Sequence, residues 1–301
     1  MGSVTAKLDT LAGQTERLAE QYNKAGLDVV AAARAADRSR LAAAAAAAKY
    51  RLARAQFVQV ITVQYESGTP SASVALFSSD SGANYLYRLN TLDLVAQHRA
   101  DVVSYLQTAK ATVRAAGNRA DQALGQATAK RRAVGEQRSQ AAAQTKKFKA
   151  LLATLTAAQQ HAYTTRNTST PSQLAAVKTV HAGNAAAQRA VNFALAQVGK
   201  PYVFGAAGPG SYDCSGLTMA AWQAGGVSLP HLAASQYNYG THVPVSQLQP
   251  GDLVFMYSPI GHVSMYIGHG MLVSAPQPGE NVKIVPLAYF TADIVGATRL
   301  A

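Results

Sequence analysis

A long alanine-rich stripe near the N-terminus most restricts how this chain can fold. Between Lys7 and about Tyr65, apolar side chains recur at helical spacing and alanine fills most of the intervening positions. Alanine allows two helices to approach each other closely, so the pattern predicts one long helix that packs against a partner helix. The apolar stripe consists of Leu8, Leu11, Leu18, Tyr22, Ala25, Leu41, Leu52, Phe57 and Val60.

A second helical region is predicted over residues 92–163, after a helix-breaking segment at 66–71. About 70 helical residues would extend roughly 100 Å. Antiparallel pairing is the simplest way for two such helices to bury their stripes, so residues 1–165 are predicted to form a coiled-coil-like helical hairpin. The apolar residues 74–79 and 85–89 predict a helical tip, which either packs locally or contacts another protein.

The last third of the chain has a different pattern. A polar linker at 166–184 is followed, over 185–301, by short helices and then by a run of hairpin strands. Helices followed by hairpin strands predict an α+β domain with an antiparallel sheet. The predicted strands are 253–257, 262–268, 271–275, 282–286 and 294–300.

Charge is distributed unevenly along the chain. Residues 185–301 carry four basic and four acidic side chains, so the formal net charge of +12 belongs entirely to residues 1–184. A basic surface favours a polyanionic neighbour, and an anionic wall polymer or a membrane-associated division partner is the hypothesis here. No nucleic-acid-binding motif is found, and a solvated helix face is the alternative interpretation.

The compartment is inferred from the start of the chain and from its cysteine content. Residues 1–4 lack the basic and apolar segments of a signal peptide, so any export signal is expected to be absent from this form of the protein. The sequence has no apolar run of 18 residues, so no membrane-spanning helix is predicted. A single cysteine excludes internal disulfides and suits an exported thiol enzyme.

That cysteine, Cys214, follows Asp213, a good N-cap, and a helix is predicted from 214 to about 224, ending at Gly225 and Gly226. Unpaired backbone N–H groups and the positive end of the helix dipole favour a thiolate there. A lone cysteine is otherwise usually a small buried apolar residue.

A histidine that can serve Cys214 begins a predicted strand. His262 lies 48 residues after the cysteine, at the start of an alternating segment. A helix-start cysteine beside a strand histidine has the geometry of a thiol–imidazole pair, although a histidine there is often structural. The other histidines show no metal-ligand spacing, so neither a metal nor another cofactor is expected.

Several ordered motifs in residues 186–301 closely resemble those of the NlpC/p60 cysteine peptidases, and most of all the actinobacterial resuscitation-promoting-factor-interacting peptidoglycan endopeptidases. The resemblance implies a papain-like fold and a secreted or cell-wall hydrolase that cuts stem peptides between D-glutamate and the diamino acid. The alternatives are a weakly active or inactive wall-binding scaffold of the same fold, and an amidase or acyltransferase. The matching segments are 194–205, 212–217, 229–231, 235–237, 248–255 and 262–268.

The resemblance also implies roles for individual residues. Cys214 would be the nucleophile and His262 its base, with a third polar residue 12 positions after the histidine. Here that residue is Ser274, a departure from the usual His, Asn, Gln or Glu. A hydroxyl can accept from an imidazole N–H but carries no charge, so it would serve weakly, act through a water, or leave the role to a backbone carbonyl. Hairpin geometry predicts Ser274 opposite Ser264.

Four further residues complete the candidate site. The hydroxyl of Tyr202 matches a family tyrosine beside the nucleophile and is expected to help bind the oxyanion, together with the backbone N–H of Cys214. Asp213 and Ser215 match residues that contact the substrate peptide in some relatives, and helix capping is their alternative role. His231 lies in a family motif near the cleft and has a structural alternative.

The size of the helical region suggests regulation. We expect part of the hairpin or linker to cover Cys214 in the resting protein, and a partner that binds the apolar tip near Leu76 and Phe77 to release it. The alternative is a passive spacer across the wall.

Overall fold

The computed structural model describes residues 2–66, 81–165, 175, 177 and 180–300. The chain divides into two compact units. One comprises Met1–Asp28 together with Lys130–Ala301, and the other comprises Val29–Ala129. The predicted boundaries of the hairpin, the linker and the C-terminal domain remain predictions. The apolar segment 74–79 and most of the predicted linker lie outside the described residues.

Two long helices account for most of the N-terminal half. Helix α1 spans Gly2–Glu66 and helix α2 spans Gly82–Leu152, and a shorter helix α3, Ala157–Thr165, follows. Helix α2 therefore begins ten residues earlier than predicted and includes the apolar residues 85–89. It also ends before the predicted limit, because residues 153–156 form a turn. No described helix is long and apolar enough to cross a membrane.

The described helices of the unit Val29–Ala129 are the C-terminal part of α1 and the first part of α2. Its buried side chains include the alanines 53, 116 and 127, as expected where small residues allow close helix packing. Several large apolar side chains along the same segments are exposed, among them Leu41, Leu52 and Leu86.

In the unit that comprises Met1–Asp28 and Lys130–Ala301, the start of α1 lies antiparallel to the end of α2. Gln14 accepts a hydrogen bond from Gln144, and the Lys130 ammonium lies 3.4 Å from the Asp28 carboxylate. The predicted antiparallel arrangement therefore holds for these segments. A small apolar cluster closes this end of the helix pair: Leu8, Ala12, Phe148 and Tyr163.

Three helices precede the sheet. Helix α4 spans Ala185–Ala196, helix α5 spans Cys214–Gly225, and helix α6 spans Ala233–Tyr237. The predicted bounds of α5 are confirmed to within one residue, because its local signals are strong. The Asp213 side chain accepts from the N–H of Gly216, and Gly226 ends the helix in the left-handed conformation.

Within residues 180–300 the described strands form one antiparallel sheet in the order β1-β6-β2-β3-β4-β5. Its central strands are buried on both faces, and α5 packs against β3. The predicted α+β architecture is confirmed, whereas the short strand β1 was not predicted. The strands are β1 Thr241–Val243, β2 Leu253–Met256, β3 His262–Tyr266, β4 Met271–Ser274, β5 Lys283–Pro286 and β6 Ile294–Arg299.

Candidate active site

Cys214 is the first residue of α5 and is 1% exposed. Its thiol receives a hydrogen bond from the backbone N–H of Val263, the second residue of β3. The helix start and the strand that carries His262 therefore meet at the thiol. Gly216, in the same helix turn, allows the loop at Ala206 to lie against the helix start, because a Cβ at position 216 would lie 2.2 Å from the carbonyl oxygen of Ala206.

The expected thiolate is not favoured in this arrangement. Burial raises the pKa of Cys214 well above its ordinary value, and the nearby carboxylates of Glu20, Asp213 and Glu16 raise it further. The Val263 N–H opposes this shift but does not outweigh it. The helix N-terminus alone therefore does not ionise the thiol, since two of the three carboxylates belong to α1.

His262 is the first residue of β3 and is 1% exposed. Its Nε2 lies 3.0 Å from the Oγ of Ser274 and 3.2 Å from the Oγ of Ser264. Strand β3 pairs with β4 through Met265 and Val273, so one further step places Ser264 opposite Ser274, as predicted. The sequence pattern did not single out Ser264 as a partner of the histidine.

The other ring nitrogen faces helix α1. His262 Nδ1 lies 3.1 Å from Oε1 of Glu16, which is itself 7% exposed. The contact is close in distance but poorly aligned, because Nδ1 has no well-directed hydrogen bond to any described residue. A carboxylate of α1 therefore lies against the ring nitrogen that the two serines leave unengaged.

Asp213 joins the helix cap to the rest of the site and is fully buried. Its Oδ1 accepts from the Gly216 N–H at 2.7 Å and lies 2.7 Å from His231 Nε2. Its Oδ2 accepts from the Gly205 N–H at 3.0 Å and from the Asn23 side chain of α1 at 3.1 Å. The capping role of Asp213 is thus present, and His231 is held against it.

Glu20, on α1, is also buried in this site. Its Oε1 lies 2.9 Å from the Ser215 hydroxyl, and its Oε2 accepts from the backbone N–H of Ala233 at 2.6 Å. Burial, followed by the charge of Asp213, raises the pKa of Glu20 from its ordinary 4.5 to about 7. The buried carboxyl groups of Glu20 and Asp213 therefore share this region with His231.

Aromatic and amide contacts complete the cover over the site. Tyr22 packs on Phe204 with ring centroids 5.1 Å apart, and Asn23 also donates to the Ser215 hydroxyl at 3.3 Å. One face of α1, carrying Glu16, Glu20, Tyr22 and Asn23, thus lies on the residues around Cys214. A cavity of about 270 Å³, lined in part by His262 and Glu16, remains beside the helix.

Tyr202 lies near the thiol and is 5% exposed. Burial, followed by the proximity of Cys214 and the neighbouring carboxylates, raises the pKa of Tyr202 well above its ordinary value, so its hydroxyl keeps its proton. That hydroxyl has no hydrogen-bond partner among the described residues. An unused, protonated donor beside a nucleophile is suited to bind an oxyanion.

Residues 199–299 match the NlpC/P60 family. Probable endopeptidases of Mycobacterium bovis and Mycobacterium tuberculosis are 45% identical over 97 residues, which are 32% of this chain and 25% of each relative. The peptidoglycan endopeptidase RipA of M. tuberculosis is 37% identical over 120 residues, covering 35% of this chain and 25% of RipA. The match thus spans about a quarter of the length of these relatives.

A solved structure of an NlpC/P60 family protein from Bacillus cereus is also similar. It is 28% identical, with a TM-score of 0.37, and the match covers 40% of this chain and 41% of that protein.

Proposed function

Residues 199–299 form an NlpC/P60 domain, and on that premise we propose that this chain is a cysteine endopeptidase that cleaves peptidoglycan stem peptides. The observation that carries the proposal is the meeting of the α5 start with β3. That contact puts the Cys214 thiol against the backbone next to His262, and two serines hold the far side of the imidazole. Relatives named endopeptidases support the same reaction class.

The proposed chemistry follows from the two ring nitrogens. Because Nε2 is engaged by the serines, Nδ1 of His262 is the nitrogen that takes the thiol proton. The thiolate of Cys214 then attacks the scissile carbonyl carbon, and the imidazolium returns the proton to the departing amine. The Tyr202 hydroxyl and the Cys214 N–H stabilise the oxyanion of the tetrahedral intermediate. Water, deprotonated by the same imidazole, hydrolyses the thioester.

The contacts of Glu20 support the proposed bond specificity. Its carboxyl group takes up two donors beside the nucleophile, the Ser215 hydroxyl and the Ala233 N–H. In the proposed substrate, D-glutamate linked through its side chain keeps a free α-carboxylate. We propose that this carboxylate uses the same two donors, which would place the D-glutamyl–diamino acid bond at Cys214.

The position of α1 supports an autoinhibited resting state. Glu16 faces the imidazole nitrogen needed by the thiol, while Glu20 and Asn23 occupy donors and acceptors around Asp213 and Ser215. The same carboxylates raise the pKa of Cys214. The helix would therefore act in two ways, by excluding the substrate and by keeping the thiol neutral. Release would be brought about by a partner of the basic helical region, at the cell wall or the membrane.

Mass analysis of muropeptides tests the reaction and the bond together. Purified stem peptides are incubated with the full chain carrying Tyr22→Asp, which breaks the contact between α1 and Phe204, and, in parallel, with the same chain carrying Cys214→Ala as well. The proposal predicts products separated between D-glutamate and the diamino acid, formed only by the chain with its cysteine. Cleavage at another amide would overturn the bond assignment, and equal cleavage by the variant would overturn the thiol mechanism.

A further inference from the structure

Two serine hydroxyls, rather than one, lie against Nε2 of His262. The Oγ atoms of Ser264 and Ser274 are 3.2 Å and 3.0 Å from that nitrogen. Both serines are fully buried, and the histidine is 1% exposed. In a buried site such hydroxyls have no bulk water with which to exchange hydrogen bonds, so their orientation is coupled to the imidazole.

The sheet explains why these hydroxyls are fixed. Ser264 lies two residues after His262 on the same face of β3, because side chains alternate along a strand. Ser274 ends the neighbouring strand β4, opposite Ser264 in the observed register. Both strands lie inside the sheet between β2 and β5, so the backbone that carries the serines is held on both sides.

We propose that Ser264 is a second positioning residue for His262, and that it forms with Ser274 a pair of hydroxyls that jointly does the work of one third residue. This inference rests on the proposed function, since it assigns His262 the role of base. The pair engages Nε2 with two oxygens and leaves Nδ1, which faces Glu16 in the resting arrangement, as the nitrogen that would take the thiol proton.

The chemistry of a hydroxyl suits this role. In the base-competent tautomer the proton is on Nε2, and either serine oxygen can accept a hydrogen bond from that N–H. When Nδ1 takes the thiol proton, Nε2–H still has both acceptors, so the ring need not turn during the reaction. A neutral hydroxyl stabilises the imidazolium less than a carboxylate does, and a second hydroxyl partly offsets that deficit.

Shared positioning gives a recognisable pattern of losses. With one serine removed, the other still holds the nitrogen, so Ser264→Ala and Ser274→Ala should each lower kcat by about 3- to 10-fold, as expected for one neutral hydrogen bond. The double variant should lose more than about 100-fold in kcat, which exceeds the product of the two single losses, with KM little changed. Ser264→Thr, which keeps a hydroxyl, should recover most of the single loss.

The experiment combines kinetics with nitrogen-15 NMR of the His262 ring in the full chain. The ring signals need no turnover, so this readout survives even if the proposed reaction is wrong. Ser264→Ala should shift the Nε2 resonance, and the exposed Ser228→Ala should leave it unchanged. A shift of similar size for Ser264→Ala and Ser274→Ala supports the pair. The proposal would be overturned if Ser274→Ala moved the Nε2 resonance and Ser264→Ala did not. It would also be overturned if the loss in kcat of the double variant equalled the product of the two single losses.

Discussion

Raising the pH should loosen α1 from the active site through the carboxyl group of Glu20. This side chain is 6% exposed, and its pKa is raised to about 7 by burial and by the charge of Asp213. His231 also faces it from the NlpC/P60 domain. Burial lowers the pKa of that histidine, but its hydrogen bond to Asp213 and the charges of Asp213 and Glu20 together outweigh the burial and raise the pKa. On its own helix the neighbouring charged residues are Glu16, Arg17 and Lys24.

The sign and size follow from the two states of the helix. In a released helix Glu20 would have its ordinary pKa of 4.5, and in the closed state about 7. The ratio of closed to open protein is therefore highest below pH 4.5. It falls about tenfold per pH unit between pH 4.5 and pH 7, and changes little above pH 7. A difference of 2.5 pKa units corresponds to about 3 kcal/mol, or roughly 300-fold in the ratio of closed to open protein.

Amide hydrogen exchange at Ala233 measures this ratio directly, because its N–H donates to Glu20 in the closed state. After correction for the intrinsic pH dependence of exchange, the protection of this N–H should fall by about 70-fold between pH 5 and pH 8. Glu20→Gln keeps the shape of the side chain but cannot ionise, so in this variant the protection of the Ala233 N–H should not change with pH. In Glu16→Gln it should fall with pH as in the original chain. A flat profile in the original chain, or an equal fall in Glu20→Gln, would refute the reasoning.

Four substitutions test the chemistry and the packing of the site. Cys214→Ala and His262→Ala should each abolish stem-peptide hydrolysis with an unchanged circular dichroism spectrum, and the double variant should be no worse, because the two act as a unit. Tyr202→Phe removes the unused donor and should lower kcat by about 100-fold with little change in KM; an unchanged kcat would exclude the oxyanion role. Gly216→Ala forces a Cβ against the Ala206 carbonyl and should lower the melting temperature by several degrees. A melting temperature equal to that of the original chain would show that the backbone yields there without cost.

The sequence predicted the parts of the site that depend on local signals. Helix α5 could be placed because an N-capping aspartate and a left-handed glycine mark its ends, and both act over a few residues. The position of Ser274 opposite Ser264 followed from hairpin geometry alone. The catalytic assignment of Cys214, His262 and Ser274 remains a prediction that these positions support.

The contacts of α1 could not be predicted in the same way. Glu16, Glu20 and Asn23 lie about 190 to 250 residues from their partners, and a helical pattern does not record what a polar face touches. An acidic side chain in a basic helix is normally solvated, so nothing local marked these residues as buried. We expected part of the hairpin or linker to cover Cys214. The sequence did not indicate that the start of α1 would lie there, nor which of its residues would make the contacts.

The central claim is that a competent cysteine peptidase is held closed by the start of α1. Its most direct test is turnover of a soluble stem peptide by the full chain and by Tyr22→Asp, which breaks the contact with Phe204 without changing a proposed catalytic residue. The account predicts at least tenfold faster turnover in Tyr22→Asp, abolished when Cys214→Ala is added. If exchange at Ala233 shows that Tyr22→Asp has released the helix, equal rates with and without this substitution would contradict the account.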